Sequence, residues 1–221
     1  MHTATLEAGN WWAQSRGPRA GHWVETYQHS LGHRHRAQIV EAVQAIKPET
    51  LLEVGCHCGP NLVRLGQALP GLRMLGVDIN AEAITGGRQW MTSLGLSDLV
   101  QLNAGRIPDV LTGLPTGSCD VVLSCYALAY IAPADLDAVL YEMGRIASRA
   151  VVLAEPTTLE GPVPDKRSLT GYSEWAHHYQ KSTQWIGTWR NMTWTVTPVS
   201  PPVDRLNAVL VASRDGLQNM P

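Results

Sequence analysis

The chain contains 221 residues, of which 44% are hydrophobic, and its formal net charge is −2 at pH 7. This length supports one full hydrophobic core with a small appended cap and leaves little room for two full domains. The near-zero charge excludes a global attraction to nucleic acid or to an anionic membrane surface. The four cysteines do not read as a disulfide framework and no apolar run is long enough to span a bilayer, so we expect a cytoplasmic protein with reduced thiols and no membrane partner.

The first 36 residues are polar, rich in histidine and tryptophan, and interrupted by glycine and proline. We expect irregular structure there, with a short helix near Trp23–Ser30. This segment, 1–36, is predicted to be an N-terminal arm or lid that either covers a ligand or docks its tryptophans on the core. From Arg34 to Ile46, apolar residues recur on one face of a predicted helix, which Pro48 ends.

The stretch Leu51–Asn80 predicts a βαβ unit. A short apolar strand runs into Gly55, a helix with regularly spaced leucines follows Gly59, and a second apolar strand ends at Asp78. Parallel strands joined by a crossover helix bind ligands at their carboxyl ends. We therefore expect Gly55 and Asp78 to border a nucleotide-type site.

The rest of the chain continues the alternation of helices and strands, which predicts an α/β fold with one seven-stranded, mostly parallel sheet, helices on both faces and a C-terminal antiparallel hairpin. The main domain is predicted over 37–213, with 157–181 as a loop and helix forming a substrate cap and 214–221 as a tail. The helix of this cap is expected to begin at Ser173 and to include His177 and His178.

The turn after the first strand is similar to a dinucleotide-binding fingerprint but lacks its middle glycine, because His57 lies between Gly55 and Gly59. Asp78 suits the ribose hydroxyls of either a dinucleotide or a nucleoside. Glu53, at the end of an apolar strand, needs a cationic ligand or the turn amides to offset its desolvation. These residues by themselves leave both cofactor classes open.

The same residues resemble the motifs of the class I S-adenosylmethionine-dependent methyltransferases. Glu53–Gly59 is similar to the first motif of that family, Gly76–Asp78 to the second, and Cys119–Ile131 to the motif around the fourth strand. The resemblance implies a Rossmann-like fold, S-adenosylmethionine as cofactor and S-adenosylhomocysteine as product. It implies that cofactor-binding residues are Glu53, Gly55, Cys56, His57, Gly59, Asp78, Ile79, Asn103, Ala104, Ser124, Cys125 and Tyr126, with Asn103 standing where the family often has an acidic residue.

Methyl transfer from a sulfonium is an in-line displacement in which positioning supplies most of the acceleration. A general base is useful only when the acceptor is a hydroxyl or a protonated amine. The candidates for that base, each of which has a structural role as the competing interpretation, are Tyr27, His29, Glu155, His177 and His178. No metal site is predicted, because the two thiols of Cys56 and Cys58 do not make a complete ligand set.

The residues after the fourth strand lack the Asn/Asp-Pro-Pro-aromatic cluster and the Pro-Cys dipeptide that the nucleic-acid enzymes of the family use. Together with the charge, this favours a small-molecule, glycan or lipid-like acceptor over nucleic acid. Two alternatives stay open: an NAD(P)-dependent oxidoreductase, and a non-catalytic cofactor-binding module that holds a partner through the arm or the 157–170 loop. The sequence makes no prediction of the oligomeric state.

Overall fold

The computed structural model describes residues 1–14, 22–157, 163–165, 174–179, 193–198 and 206–213. The helices are α1 (Thr3–Gln14), α2 (Trp23–His29), α3 (Arg34–Ile46), α4 (Pro60–Ala68), α5 (Ala81–Ser93), α6 (Asp109–Thr112) and α7 (Pro133–Ile146), with a 3-10 turn at Leu128–Tyr130. The strands are β1 (Thr50–Val54), β2 (Arg73–Asp78), β3 (Val100–Ala104), β4 (Cys119–Cys125), β5 (Ala147–Thr157), β6 (Val163–Asp165), β7 (Glu174–Ala176), β8 (Thr193–Pro198) and β9 (Leu206–Ser213).

The main sheet has the strand order β3-β2-β1-β4-β5-β9-β8. Pairs among β1 to β5 are parallel, whereas β9 runs antiparallel to both β5 and β8. The predicted architecture, a mostly parallel sheet with a C-terminal antiparallel pair, is confirmed. Strand β9 inserts between β5 and β8, so β8 lies at the edge of the sheet among the described strands.

Helices pack on both faces of this sheet and produce two apolar clusters. Neighbouring strand residues point to opposite faces, so Leu51 joins the cluster under α3, α4 and α5, and Leu52 joins the cluster under α7. This burial on both faces explains why the strands read as continuous apolar runs. Within the described part of the chain, none of the helices has the length and apolar character to cross a bilayer.

The N-terminal arm differs from its prediction. The short helix expected near Trp23 is confirmed as α2, but the irregular structure expected before it is wrong for α1. Docking stabilises α1: Thr5 Oγ1 accepts a hydrogen bond from the Ala132 amide at 2.9 Å, and the Trp12 carbonyl accepts one from Asn80 Nδ2 at 2.9 Å. Tertiary contacts of this kind override the low helix propensity of an internal glycine.

The segment after β5 also differs from its prediction. Glu174–Ala176 is a strand that pairs with Val163–Asp165, and the helix expected there is wrong. A bridge between Thr157 and His177, with Thr157 Oγ1 donating to the His177 carbonyl at 2.8 Å, extends this pairing from β5. Ser173, most of the loop predicted before it and the predicted tail lie outside the described residues.

Gly76 supplies a test of how closely the βαβ unit packs. A Cβ at this position would lie 2.7 Å from Cys56 Sγ and from Leu102 Cδ2. We expect Gly76→Ala to lower the free energy of unfolding by about 1–3 kcal/mol, because the core would be overpacked. Urea denaturation measures this loss. The control is Gly32→Ala, where a Cβ meets no heavy atom within 4 Å; equal losses in the two variants would contradict the prediction.

Candidate functional site

A cavity of about 510 Å³ lies at the carboxyl ends of β1, β2 and β4, with α1 and the start of α3 at its border. Eight of the predicted cofactor residues line it, and these are Glu53, Gly55, Cys56, His57, Asp78, Ile79, Cys125 and Tyr126. Gly59, Asn103, Ala104 and Ser124 are not among its lining residues. The two motifs of the βαβ unit and the start of the turn after β4 therefore lie around the same cavity.

The turn after β1 depends on left-handed backbone. Gly55, His57 and Gly59 have φ angles of 74°, 51° and 82°. His57 therefore adopts a left-handed backbone conformation that is usually found at glycine, although it has a side chain. A Cβ on Gly55 would lie 2.2 Å from the Cβ of Ala127. Gly55 therefore lets the turn after β1 abut the turn after β4, which closes one side of the cavity.

Glu53 is 1% exposed, and its two carboxylate oxygens differ in their surroundings. Oε1 accepts a hydrogen bond from Asn61 Nδ2 at 2.6 Å, whereas Oε2 has no hydrogen-bond partner in the described part of the chain. Burial raises the pKa of Glu53 to about 8, and the Asn61 hydrogen bond and the Arg36 charge oppose that rise. Glu53 thus brings to the cavity lining a buried carboxyl oxygen that lacks a partner among the described residues.

Two residues that support Glu53 were not predicted from the sequence. Asn61 follows the proline that opens α4, and its Oδ1 accepts a hydrogen bond from Arg36 Nη1. Arg36 precedes Ile39 and Val43 by three and seven residues, so it begins the buried face of α3. The sequence signal that could have indicated Arg36 is a charged residue at the start of an otherwise apolar helix face.

Asp78 ends β2 with both carboxylate oxygens bound to main-chain amides. Oδ2 accepts from the His57 amide and Oδ1 from the Asn80 amide, each at 2.8 Å. Burial raises the pKa of Asp78, and these amides with that of Ile79 limit the rise. The hydrogen bonds fix the carboxylate at the cavity next to Glu53, since β1 and β2 are neighbours in the sheet.

The imidazole of His57 is enclosed by aromatic rings of the arm. Its ring centroid lies 6.0 Å from Trp12, 4.7 Å from Trp23 and 4.9 Å from Tyr27. Neither ring nitrogen has a hydrogen-bond partner in the described residues, and burial lowers the pKa of His57 to about 4. The arm therefore docks its rings on the turn itself, around an uncharged imidazole.

Most of the candidate bases lie away from the cavity. Tyr27 does line it, but burial raises the pKa of its phenol, so this hydroxyl stays protonated. His29 is exposed on α2. His177 is 1% exposed, and its Nε2 donates to the Ile131 carbonyl at 3.0 Å. His178 follows it outside the cavity lining.

The carboxylate of Glu155 supports the turn after β4 from behind the cavity. Its Oε1 accepts hydrogen bonds from Ser124 Oγ at 2.8 Å and from the amides of Ala127 and Leu128 at 3.0 and 3.1 Å. Burial raises the pKa of Glu155 to about 7 despite these bonds. Neither Glu155 nor Ser124 lines the cavity, so both hold the turn in place.

Two imidazole rings that the sequence did not single out line the cavity beside Tyr126, in the turn after β4. The rings of His33 and His35 lie 5.7 Å apart, and His35 lies 5.8 Å from Tyr126. Burial, with the Arg36 charge, lowers the pKa of His35 to about 4. Among the described residues, no group of three or more His, Cys, Asp or Glu side chains is arranged to hold a metal ion.

Comparisons with known proteins agree with this geometry. Residues 52–150 match a methyltransferase domain family. Catechol O-methyltransferase from Sus scrofa is 34% identical over 83 residues, which cover 37% of this chain and 45% of that protein. The chain spans less than half of the length of the curated relatives it matches. These matches give no support to the oxidoreductase alternative.

Solved structures share the fold at low sequence identity. Magnesium protoporphyrin IX methyltransferase from Synechocystis, with bound SAM, has a TM-score of 0.68 and 15% identity over 97% of this chain and 99% of that chain. A [4+2]-cyclase, SpnF, has a TM-score of 0.68 and 13% identity over 96% of this chain and 97% of that chain. At these identities the likeness shows the fold alone, and the fold admits more than one chemistry.

The raised pKa of Glu155 predicts a pH-dependent stability. The folded pKa of about 7 lies above the unfolded value of about 4.3, so this carboxyl stabilises the fold most below the unfolded value, and that contribution is lost as the pH rises through 7. Glu155→Gln keeps the accepting oxygen and removes the ionisation. Between about pH 5 and pH 8 we expect the wild type to lose on the order of 2 kcal/mol relative to this variant.

Urea denaturation at a series of pH values measures the difference between the two proteins. The control is Glu41→Gln, which removes an exposed carboxylate from α3 and should retain the pH dependence of the wild type. A Glu155→Gln variant whose stability follows the wild type across this range would contradict the assignment.

Proposed function

We propose that the chain, whose residues 52–150 match a methyltransferase domain family, is a class I S-adenosylmethionine-dependent methyltransferase that transfers the methyl group of S-adenosylmethionine to a small-molecule acceptor. The observation that carries this proposal is the pair of buried carboxylates, Glu53 and Asp78, at the ends of neighbouring parallel strands in a cavity of about 510 Å³. This is the edge of an α/β sheet at which ligands bind.

The donor set of the cavity fits the cofactor. Glu53 Oε2, which is buried and has no partner among the described residues, would accept a hydrogen bond from the ammonium group of the methionine end. Asp78, oriented by two amides, retains lone pairs for the two ribose hydroxyls. Ile79, which follows Asp78 in the cavity lining, offers an apolar contact to the adenine.

The chain contributes binding and alignment. When bound, the cofactor would supply an electrophilic methyl group on a sulfonium. The leaving group is a neutral thioether, so no acid is needed to protonate it. Trp12, Tyr27 and Tyr130 line the cavity, and their ring faces favour a cationic sulfur. The residues therefore have to hold the acceptor atom in line with the methyl group, since positioning supplies most of the acceleration.

For the acceptor, we propose an aromatic hydroxyl compound. His33, His35, Tyr126 and Tyr130 give the cavity a wall of rings, on which a planar molecule can stack. The acidic side chains among the described lining residues are those assigned to the cofactor, so a protonated amine would lack a carboxylate partner. The uncharged imidazole of His35 can accept a hydrogen bond from the acceptor hydroxyl. The relative from Sus scrofa is named for a catechol.

The compartment is part of the same proposal. The four cysteines are free, and Cys56 and Cys58 are buried in the turn that borders the cavity. Burial raises the pKa of both thiols, which keeps them protonated and unreactive. Free thiols suit a reducing compartment, and this supports the cytoplasm.

Product formation tests the function directly. The protein is incubated with S-adenosylmethionine and a panel of catechol, substituted phenols and aliphatic alcohols, and S-adenosylhomocysteine is quantified by mass spectrometry. We expect turnover with a ring hydroxyl, and we expect Asp78→Ala to weaken cofactor binding at least about tenfold, or about 1.4 kcal/mol. Asp98→Ala, an exposed control, should bind as the wild type does.

The results separate the remaining readings. Cofactor binding without turnover on any member of the panel would favour the non-catalytic binding module. An isothermal titration without heat for either S-adenosylmethionine or S-adenosylhomocysteine would contradict the whole assignment.

Cofactor binding should also release a proton from Glu53. With a pKa of about 8, Glu53 is protonated at about pH 6.5 in the free protein, and a bound ammonium group favours the ionised form. We expect about one proton to be released per S-adenosylhomocysteine bound. The measurement is the dependence of the titration enthalpy on the ionisation enthalpy of the buffer. Glu53→Gln should abolish this dependence, whereas a buffer-independent enthalpy in the wild type would exclude the linkage.

A further inference from the structure

Arg36 is a buried cation that contacts two separate parts of the molecule. It is 4% exposed at the first turn of α3. Toward the arm, its Nε donates to the Ser30 carbonyl and its Nη2 to Ser30 Oγ, each at 3.0 Å. Toward the sheet, its Nη1 donates to Asn61 Oδ1. One guanidinium therefore joins the C-terminal end of α2 to the helix that follows the β1 turn.

Asn61 relays the effect of Arg36 to the buried carboxylate. Because the guanidinium can only donate, it fixes Oδ1 of Asn61 toward Arg36 and Nδ2 toward Glu53, where Nδ2 donates to Oε1 at 2.6 Å. This arrangement satisfies one oxygen of Glu53 and leaves Oε2 buried and without a partner among the described residues, on a side chain that lines the cavity. Among the described residues, Arg36 forms no direct ion pair, so Glu53 is the buried acid that its charge reaches through the amide.

The hydrogen bonds from Arg36 to Ser30 hold the C-terminal end of α2 in place. Ser30 follows α2, and its Oγ donates to the Tyr27 carbonyl at 2.8 Å. The Arg36 guanidinium carbon also lies 5.9 Å from the centre of the Tyr27 ring. Tyr27 and Trp23 in turn pack on His57 of the β1 turn. The same helix thus touches the turn through its rings and Glu53 through Arg36 and Asn61.

We propose that Arg36 is a positioning residue which couples the ligand occupancy of Glu53 to the docking of α2 over the cavity. The inference rests on the proposed function, because it takes an ammonium group as the ligand of Glu53. A cation at Oε2 favours the ionised carboxylate, which strengthens the hydrogen bond from Asn61 and the attraction to Arg36. A more firmly held guanidinium holds Ser30, and with it α2, more tightly. By reciprocity, docked α2 raises the affinity for the ligand.

Hydrogen exchange followed by mass spectrometry tests the coupling on the full chain. The probe is S-adenosylhomocysteine, which carries the ammonium group and lacks the sulfonium charge. In the wild type we expect saturating ligand to slow exchange of the α2 amides at least about fivefold. Arg36→Met retains the aliphatic stem and should abolish this slowing at ligand concentrations that again saturate the site. The control is Arg34→Met, which removes an exposed arginine from the same helix turn.

Affinities provide a second, independent measurement. Arg36→Met and Glu53→Gln should each raise the Kd for S-adenosylhomocysteine about tenfold, and the double variant should lose little more than either single variant, because Arg36 acts through Glu53. Ser30→Ala removes the Oγ contact to Arg36 and leaves Asn61 in place. It should accelerate α2 exchange and, because docked α2 raises the affinity for the ligand, raise the Kd by about threefold, which is less than the effect of Arg36→Met. A Kd that stays at the wild-type value while α2 exchange accelerates would contradict the coupling.

Two further results would overturn the coupling alone: ligand-induced protection of α2 that persists in Arg36→Met, or Kd effects of Arg36→Met and Glu53→Gln that add in the double variant. If Arg36→Met does not fold, Arg36→Lys provides the same readouts, since one ammonium group cannot reproduce all three hydrogen bonds. A wild-type protein that does not bind S-adenosylhomocysteine would overturn the proposed function and the coupling together.

Discussion

The arrangement of the site depends on a carboxylate that is buried at the end of β1. Burying an ionisable group without full compensation costs several kcal/mol, and for Glu53 this cost appears as a pKa raised to about 8. One oxygen is compensated by Asn61, at the start of α4, and Asn61 is held by Arg36, at the start of α3. Two helix termini are therefore positioned by one side chain. The second oxygen has no partner among the described residues, so the carboxyl that orients both helices is also the group that a cationic ligand can pair with.

The βαβ unit could be predicted because its signals are local. Strands buried on both faces require uninterrupted apolar runs, and the turn at Gly55 requires backbone that few residues adopt. The course of α1 and β7 could not be predicted in the same way. Their structure comes from distant partners, Ala132 and Asn80 for α1 and the strand Val163–Asp165 for β7, which no window of sequence contains.

The same distinction applies to the site. The carboxylates Glu53 and Asp78 follow directly from strand ends, and both line the cavity. Histidines gave a weaker signal, because an imidazole serves equally well as a base, a hydrogen-bond donor to a carbonyl or a packed ring. His177 is a hydrogen-bond donor to a carbonyl and His57 is a packed ring, and only the burial and partners of the two side chains distinguish these roles. The role of Arg36 could not be predicted from the sequence, because charged residues on helices usually face solvent.

The close approach of Gly55 to Ala127 has a consequence for protein engineering. The missing Cβ on one turn and the small methyl on the other are complementary shapes, with only 2.2 Å between a Cβ added to Gly55 and the Ala127 Cβ. Neither turn can be enlarged while the other is kept, so the two behave as one exchangeable module. A chimaera that takes the β1 turn from one protein and the β4 turn from another should preserve the cavity only when both turns come from the same parent.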